Sequence, residues 1–392
     1  MEEITTPQAL TNLIRTLSAA GAEVSSKKVI VGFDGFVDEI IRPIRSREAS
    51  GPTYFSTITQ FSSFTADAAG KSADIEIEAQ EVRFGGNAPL MANGLARLGM
   101  ECVCIGTLGY PSINPAFEQM APGCCRISFA DPGTCHAFEF HDGKLMFARL
   151  DSLAQDLWQQ LCVRVDPARL REEYQEADLI AFADWSNLTQ ATTLWRNVKV
   201  HYLDTLPEDR KKQLRVFFDL ADPSRRSTDD LAALAHLLNE FAQTYDSTLG
   251  LNEHEARTLY AAWGLKTHPQ HGGETLVDIG RSLRQHCQVT RLVIHPIDQS
   301  LVITEGSILH KTGKKIAEPC ISTGGGDHYN AGFCYGLLAG YPLEECLVLA
   351  MAVSACYVSS GRTPDRSEVL TFLHEWLQQE RQRGQTSSNN HY

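Results

Sequence analysis

Ser322-Thr323-Gly324-Gly325-Gly326-Asp327 runs straight into the helix-compatible segment His328-Tyr329-Asn330-Ala331-Gly332-Phe333. Three successive glycines leave main-chain N–H groups unshielded, and a helix starting behind them aims its free N-terminal amides and positive dipole end at the same point. Such a turn can cradle an anion. An aspartate at the head of the helix stands where a proton acceptor is wanted when a phosphoryl group is moved onto an alcohol. The same aspartate also suits an ordinary N-cap, which is the commoner reason for one at that position.

On the N-terminal side of this turn, short β-branched or aromatic runs alternate with helix-length amphipathic ones, the signature of parallel βαβ units. Strands are expected at 28–33, 101–106, 179–182, 215–218, 248–251 and 292–295. Helices are expected near 88–98, 188–199, 229–243, 253–262 and 274–286, then near 328–339, 343–358 and 366–380. The fold class is therefore α/β: a doubly wound, mostly parallel central sheet flanked by helices, with a ligand crevice outside the carboxyl ends of its strands. Two stretches break the rhythm. Residues 40–84 contain strand-like alternation at Ile75-Glu76-Ile77-Glu78 and a polar portion, 56–73, that reads as a loop. Residues 125–150 contain a hairpin signal, Thr134 to Phe140, the turn His141-Asp142-Gly143, then Lys144 to Phe147. Together they would form a small β lid over the crevice, leaving 1–39, 85–124 and 151–392 as the α/β domain. A lid that excludes water suits phosphoryl transfer.

The chain's 392 residues are enough for a sizeable core. A formal charge of −13 argues against nucleic acid or an anionic membrane as a partner, so any phosphate site must be local. The acidic start Met1-Glu2-Glu3 and the absence of a run near the roughly 20 apolar residues of a membrane span lead us to expect a soluble cytoplasmic protein. Eleven cysteines form no C-x-x-C pair. Cys102, Cys104, Cys346 and Cys356 read as small core residues. His268 and His271 read as surface residues of a loop.

Further segments point to the same crevice. Gly32-Phe33-Asp34-Gly35-Phe36-Val37-Asp38 ends the first strand with two carboxylates that could hold the hydroxyls of a polyol or be simple turn residues. Phe84-Gly85-Gly86-Asn87 opens the helix that closes on Leu95-Ala96-Arg97-Leu98-Gly99. Asp184, Asp219 and Asp222 follow later strands: Asp184 reads equally as facing the crevice or as exposed to solvent, and Asp219 and Asp222 read more as strand-end caps than as ligands. Asn252-Glu253-His254-Glu255 starts a helix with an Asn and a Glu on one face, a spacing that also fits a capping box.

In this order the segments resemble the ribokinase-like (PfkB) carbohydrate kinase family over residues 28–361. The resemblance implies an ATP- and Mg²⁺-dependent kinase that phosphorylates a hydroxyl of a sugar or sugar-like small molecule. It assigns Asp327 as the base and Gly324, Gly325 and Gly326 as the anion hole. Asp34, Asp38, Gly86 and Asn87 match the sugar-gripping region. Asn252 and Glu255 match the motif that organises Mg²⁺ and phosphate through water, while Thr323 and Met351 fall on the nucleotide side. The family's lid strands often mediate dimers, so a homodimer through the lid is implied, although the long 40–84 insertion could equally block it.

The chain departs from the family pattern at several points. Ile321 stands where an aspartate usually helps hold a monovalent cation, which argues against potassium activation. His295-Pro296-Ile297-Asp298-Gln299-Ser300 replaces a glycine-bearing loop beside the nucleotide, and Met351 and Leu90 each replace a usual Asn. His328 after the base is also atypical. These changes bear on substrate and nucleotide preference, and they motivate two rivals, a binding protein without turnover and a nucleoside kinase of the same fold. A dinucleotide oxidoreductase is disfavoured because no G-x-G-x-x-G is present.

Overall fold

The computed structural model describes residues 2–3, 7–266, 275–321 and 323–389. His268, His271 and Ser322 lie outside the described residues. Among the described residues, ten strands form one large sheet in the order Cys124–Ser128, Glu101–Gly106, Lys28–Phe33, Leu179–Phe182, Arg215–Asp219, Asp246–Leu251, Arg291–Ile294, Gln299–Ile303, Ile308–Thr312 and Glu2–Glu3. Only Gln299–Ile303 runs antiparallel to its neighbours. The expected doubly wound, mostly parallel sheet is what the chain forms.

The inner strands, from Glu101–Gly106 to Arg291–Ile294, are buried on both faces along most of their length, as a helix-covered parallel sheet requires. Successive side chains feed opposite cores. Val29, Val31, Cys102 and Cys104 join one apolar cluster, with helices Asn87–Arg97, Gly325–Leu338 and Leu343–Ser360. Ile30, Phe33, Val103 and Ile105 join the other, with helices Thr228–Ala242, Glu253–Ala262 and Leu276–Cys287. The four cysteines read as core residues are buried, and all eleven are free thiols. Helix Leu343–Ser360 has the length and apolarity of a membrane span, but it is buried without a break from Glu345 to Val353, packed on Gly325–Leu338.

A second sheet of five strands is built on Phe36–Glu48. Ile77–Gly85 and Gly51–Tyr54 pair with it antiparallel, Gly133–Phe140 pairs parallel, and Gly143–Arg149 completes the hairpin. Residues 56–73, read from sequence as a loop, contain helix Ile58–Asp67. Thr57 caps its start by accepting the Gln60 N–H at 3.1 Å, and Asp142 at the hairpin tip accepts the Ile58 N–H at 2.8 Å. Phe61 then packs against Phe55, Phe138 and Phe140, with ring centroids 5.4 to 6.0 Å away. These aromatic contacts supply what the polar composition of the segment concealed. The final helix, Arg366–Asn389, continues beyond its expected end near 380.

Candidate active site

The strand order reverses between Lys28–Phe33 and Leu179–Phe182, the place where an open α/β sheet leaves a crevice. Carboxylates follow directly at the ends of these strands. Asp34 is wholly buried, and its two oxygens accept the backbone N–H groups of Asn87 at 2.7 Å and Ala88 at 2.8 Å. It therefore caps helix Asn87–Arg97 instead of presenting its oxygens to the cleft. Gly86 permits this approach, because at φ +97° a Cβ would fall 2.5 Å from Asp34 Oδ2. Asp184, at φ +56°, accepts the Asn187 N–H at 3.1 Å and its Nδ2 at 2.8 Å. Asp219 Oδ2 accepts Asn330 Nδ2 at 2.9 Å and Asn87 Nδ2 at 3.3 Å. Asp184 and Asp219 are both buried, whereas Asp222 is half-exposed and caps a short turn at Ser224.

The glycine turn stands against this group. Gly324 is left-handed at φ +83° and begins helix Gly325–Leu338, so the N–H groups of Gly325, Gly326 and Asp327 belong to the first turn, which has no helical acceptors. A Cβ on Gly324 would come within 2.9 Å of the Tyr357 hydroxyl. The helix is held in place by backbone-close packing. A Cβ on Gly332 would lie 2.8 Å from Ala350 Cα, and one on Gly94 would lie 2.9 Å from Ala331 Cβ. Asp327 is buried, and its Oδ1 has no hydrogen-bond partner within the protein. Its pKa is pushed well above the usual carboxylate range, first by burial and then by the charges of Asp219, Asp34, Asp184 and Glu255.

A cleft of about 610 Å³ lies between the two sheets, lined among others by Asp38, Arg83, Asn87, Asn93, Asp327 and Tyr357. Asp38 faces it from the smaller sheet, directly across the ladder from Arg83 and Cys135. Burial raises the Asp38 carboxyl to about 6, against the opposing pull of Arg83 and Lys144. Gly86, Thr323 and Gly324 also line the cleft, Thr323 as an exposed residue. Met351 does not line it. It packs against Gly313, where its Sδ would be 2.9 Å from a Cβ. One helical turn further on, Ser354 Oγ donates to the Gly325 carbonyl at 2.9 Å. Ile321 is buried.

Asn252 and Glu255 interlock as a capping box. The Asn252 N–H donates to Glu255 Oε2 at 2.9 Å, and the Glu255 N–H donates to Asn252 Oδ1 at 2.9 Å. Glu255 is buried, and its pKa is raised by burial and next by Asp219. Among the described residues no three His, Cys, Asp or Glu side chains come together closely enough to cage a metal ion. The oxygens of this capping box, Asn252 Oδ1 and the two of Glu255, each accept one hydrogen bond within it and keep a further lone pair, a hard donor set that suits a Mg²⁺ ion met through its own water shell.

Arg83, Asn93, Tyr357 and Thr363 also line the cleft and escaped the sequence reading. Arg83 could have been found from strand alternation, two residues before Gly85 on the strand that pairs with Asp38. The others sit on helices or after them, and no local pattern announces the direction they face.

A family described as prokaryotic ketohexokinase matches residues 3–376. The chain is 26% identical over 361 residues to the ketohexokinase of Haloferax volcanii, which covers 90% of this chain and 92% of that one. A nucleoside kinase of Methanocaldococcus jannaschii is 35% identical, but over 71 residues, 16% of this chain and 24% of the other. Among solved structures, Arabidopsis thaliana ribokinase complexed with ribose and ATP matches with a TM-score of 0.60 at 17% identity, covering 88% of this chain and 98% of that one. Adenosine kinase from Sinorhizobium meliloti matches with a TM-score of 0.60 at 15% identity, over 89% and 98%. The structural likeness is one of fold, the ribokinase-like α/β sheet with its smaller companion.

Proposed function

Because this chain belongs to the prokaryotic ketohexokinase family, and is thereby a carbohydrate kinase with an alcohol group as acceptor, we propose that it transfers the γ-phosphoryl group of ATP to a ketohexose, with Asp327 as base. The observation that carries this reading is the Asp327 carboxylate. It is buried, lines the cleft and keeps one oxygen without a protein partner, beside the unpaired amides of the glycine turn.

In this reading the sugar lies in the cleft, with its hydroxyls held by Asp38 and Asn87 and its reacting hydroxyl donating to Asp327 Oδ1. The raised pKa makes Asp327 a stronger base once ionised, and it takes the hydroxyl proton as the oxygen attacks phosphorus. The amides of Gly325 and Gly326 receive charge on the migrating group. Thr323 at the turn and Met351, beside Gly313, would lie on the nucleotide side. Mg²⁺ bound with the nucleotide would be met through water by Asn252 and Glu255, and would offset phosphate charge. Asp34 and Gly86 shape the cleft wall through the helix cap.

The test is phosphorylation of a panel of ketohexoses, aldoses, sugar acids and nucleosides with ATP and Mg²⁺. A ketohexose phosphate should be the main product. Asp327→Asn should lower kcat by about 10²- to 10⁴-fold while leaving sugar binding in place. Product from nucleosides alone would replace the ketohexose with a nucleoside acceptor. An Asp327→Asn enzyme at full rate would remove the base.

A further inference from the structure

His328 follows Asp327 in the chain and does not line the cleft. Its ring is buried and stacks on Tyr357, with centroids 3.6 Å apart and planes 12° from parallel. Its Nδ1 lies 2.7 Å from the Gly324 carbonyl oxygen and its Nε2 lies 3.0 Å from Thr363 Oγ1. The amide Nδ2 of Asn93 donates to the same Thr363 oxygen at 2.8 Å, and Asn93 Oδ1 accepts the Ala121 N–H at 2.8 Å.

With a neutral ring, only one assignment of protons satisfies every group. A carbonyl oxygen can only accept, so Nδ1 must carry a proton and donate to Gly324. Asn93 donates into the Thr363 oxygen, which leaves the threonine's own proton to go to Nε2. The ring is then neutral with a bare Nε2, in agreement with burial pushing its pKa down to about 4. A protonated ring would aim two donors at Thr363 and leave the hydroxyl proton without this acceptor.

We propose that His328 is a positioning residue for phosphoryl transfer, the centre of a one-way relay Asn93→Thr363→His328→Gly324 that fixes the peptide between Gly324 and Gly325. The proposal rests on the reading that this turn receives the migrating group. The Gly324 carbonyl and the Gly325 N–H belong to one peptide plane, so a bond that holds the oxygen also aims the N–H. The carbonyl also accepts the His328 backbone N–H at 3.2 Å, which makes it the fixed point of the turn. Hydrogen bonds made to a carbonyl polarise its peptide and strengthen the donor on the other side. Asn93 and Thr363 line the cleft, so the relay ties the cleft wall to the turn.

A histidine that merely filled the core could be replaced by phenylalanine, which keeps the stack on Tyr357. His328→Phe should instead lower kcat by about 10- to 100-fold, with the sugar KM changed by no more than about 3-fold, since a misaimed donor acts mainly in the transition state. His328→Asn, whose Nδ2 can occupy the place of Nδ1, should recover most of that loss. Thr363→Val should lower kcat in the same direction, and adding it to His328→Phe should have little further effect. ¹⁵N NMR of the imidazole in the unmodified protein should show Nδ1 protonated and Nε2 bare, with no titration between about pH 6 and 8. Wild-type kcat in His328→Phe, or a ring with its proton on Nε2, overturns the proposal. If His328→Phe does not fold, Thr363→Val and the NMR spectrum decide it. An Asp327→Asn enzyme at full rate would strike the parent reading, while the tautomer would still judge the relay.

Discussion

Asp34 Oδ2 accepts the backbone N–H of Asn87 at 2.7 Å, so the residue that ends the first central strand also begins the helix along the cleft wall. Asp34→Ala would leave two backbone amides, the part-buried one of Asn87 and the buried one of Ala88, without this acceptor. The expected loss of folding stability is about 2–3 kcal/mol, read from denaturant midpoints at constant m. Unchanged stability combined with a large rise in sugar KM would return Asp34 to the ligand-gripping role that its sequence position suggested.

Asp327 is surrounded by like charges, so the rate should have a pH signature. A carboxyl whose pKa is raised stays protonated to higher pH, and kcat/KM should fall as pH drops through that raised value, well above the usual range near pH 4. Asp219 is the largest neighbouring charge acting on it. Asp219→Asn removes that charge, makes Asp327 easier to ionise and should move the acid limb to lower pH. A limb that stays in place or moves upward in this variant would show that Asp327 is not the group being titrated.

Lys311 lies in the large sheet opposite Ser300, buried, with no hydrogen-bond partner for its Nζ. Burial lowers its pKa to about 8, against the pull of Glu344 and Glu380. Below that value the ammonium is charged in both folded and unfolded states, and the folded protein bears the full penalty. Between about 8 and the unfolded value near 10.4, the unfolded chain binds more protons, so stability from this group rises with pH. Lys311→Met should therefore raise Tm at neutral pH, by an amount that shrinks toward pH 10. A gain that is constant with pH, or a loss at pH 7, would refute this account.

The α/β rhythm was legible because the central strands are continuous apolar runs whose ends are marked by glycine, aspartate or asparagine. The hairpin was readable from His141-Asp142-Gly143, whose first two residues form the turn and whose glycine opens strand Gly143–Arg149 opposite Phe140. Helix Ile58–Asp67 was not readable, because its stability comes from Phe55, Phe138 and Phe140, contacts distant in sequence or outside the helix. Asp34 and Asp38 looked equivalent at a strand end. One turns inward to backbone amides and the other outward to the cleft, a difference set by the sheet each residue joins. Asn252 and Glu255 took the capping-box geometry that their spacing also allowed. The five clustered carboxylates come from five separate segments, and only the folded chain brings their charges together.

Gly94 against Ala331, Gly332 against Ala350 and Gly336 against Cys346 leave no slack around the helix that carries Asp327. The smaller sheet, by contrast, is joined to the body by four connections, at Asp34-Gly35, at Gly86, at 129–132 and at 150–156. The molecule thus has one jaw set hard and one on narrow straps. Drift on the strapped jaw can reshape the cleft wall around Asp38 and Arg83 without shifting the helix that carries Asp327, whereas even a methyl group added at 332 would press that helix off Leu343–Ser360.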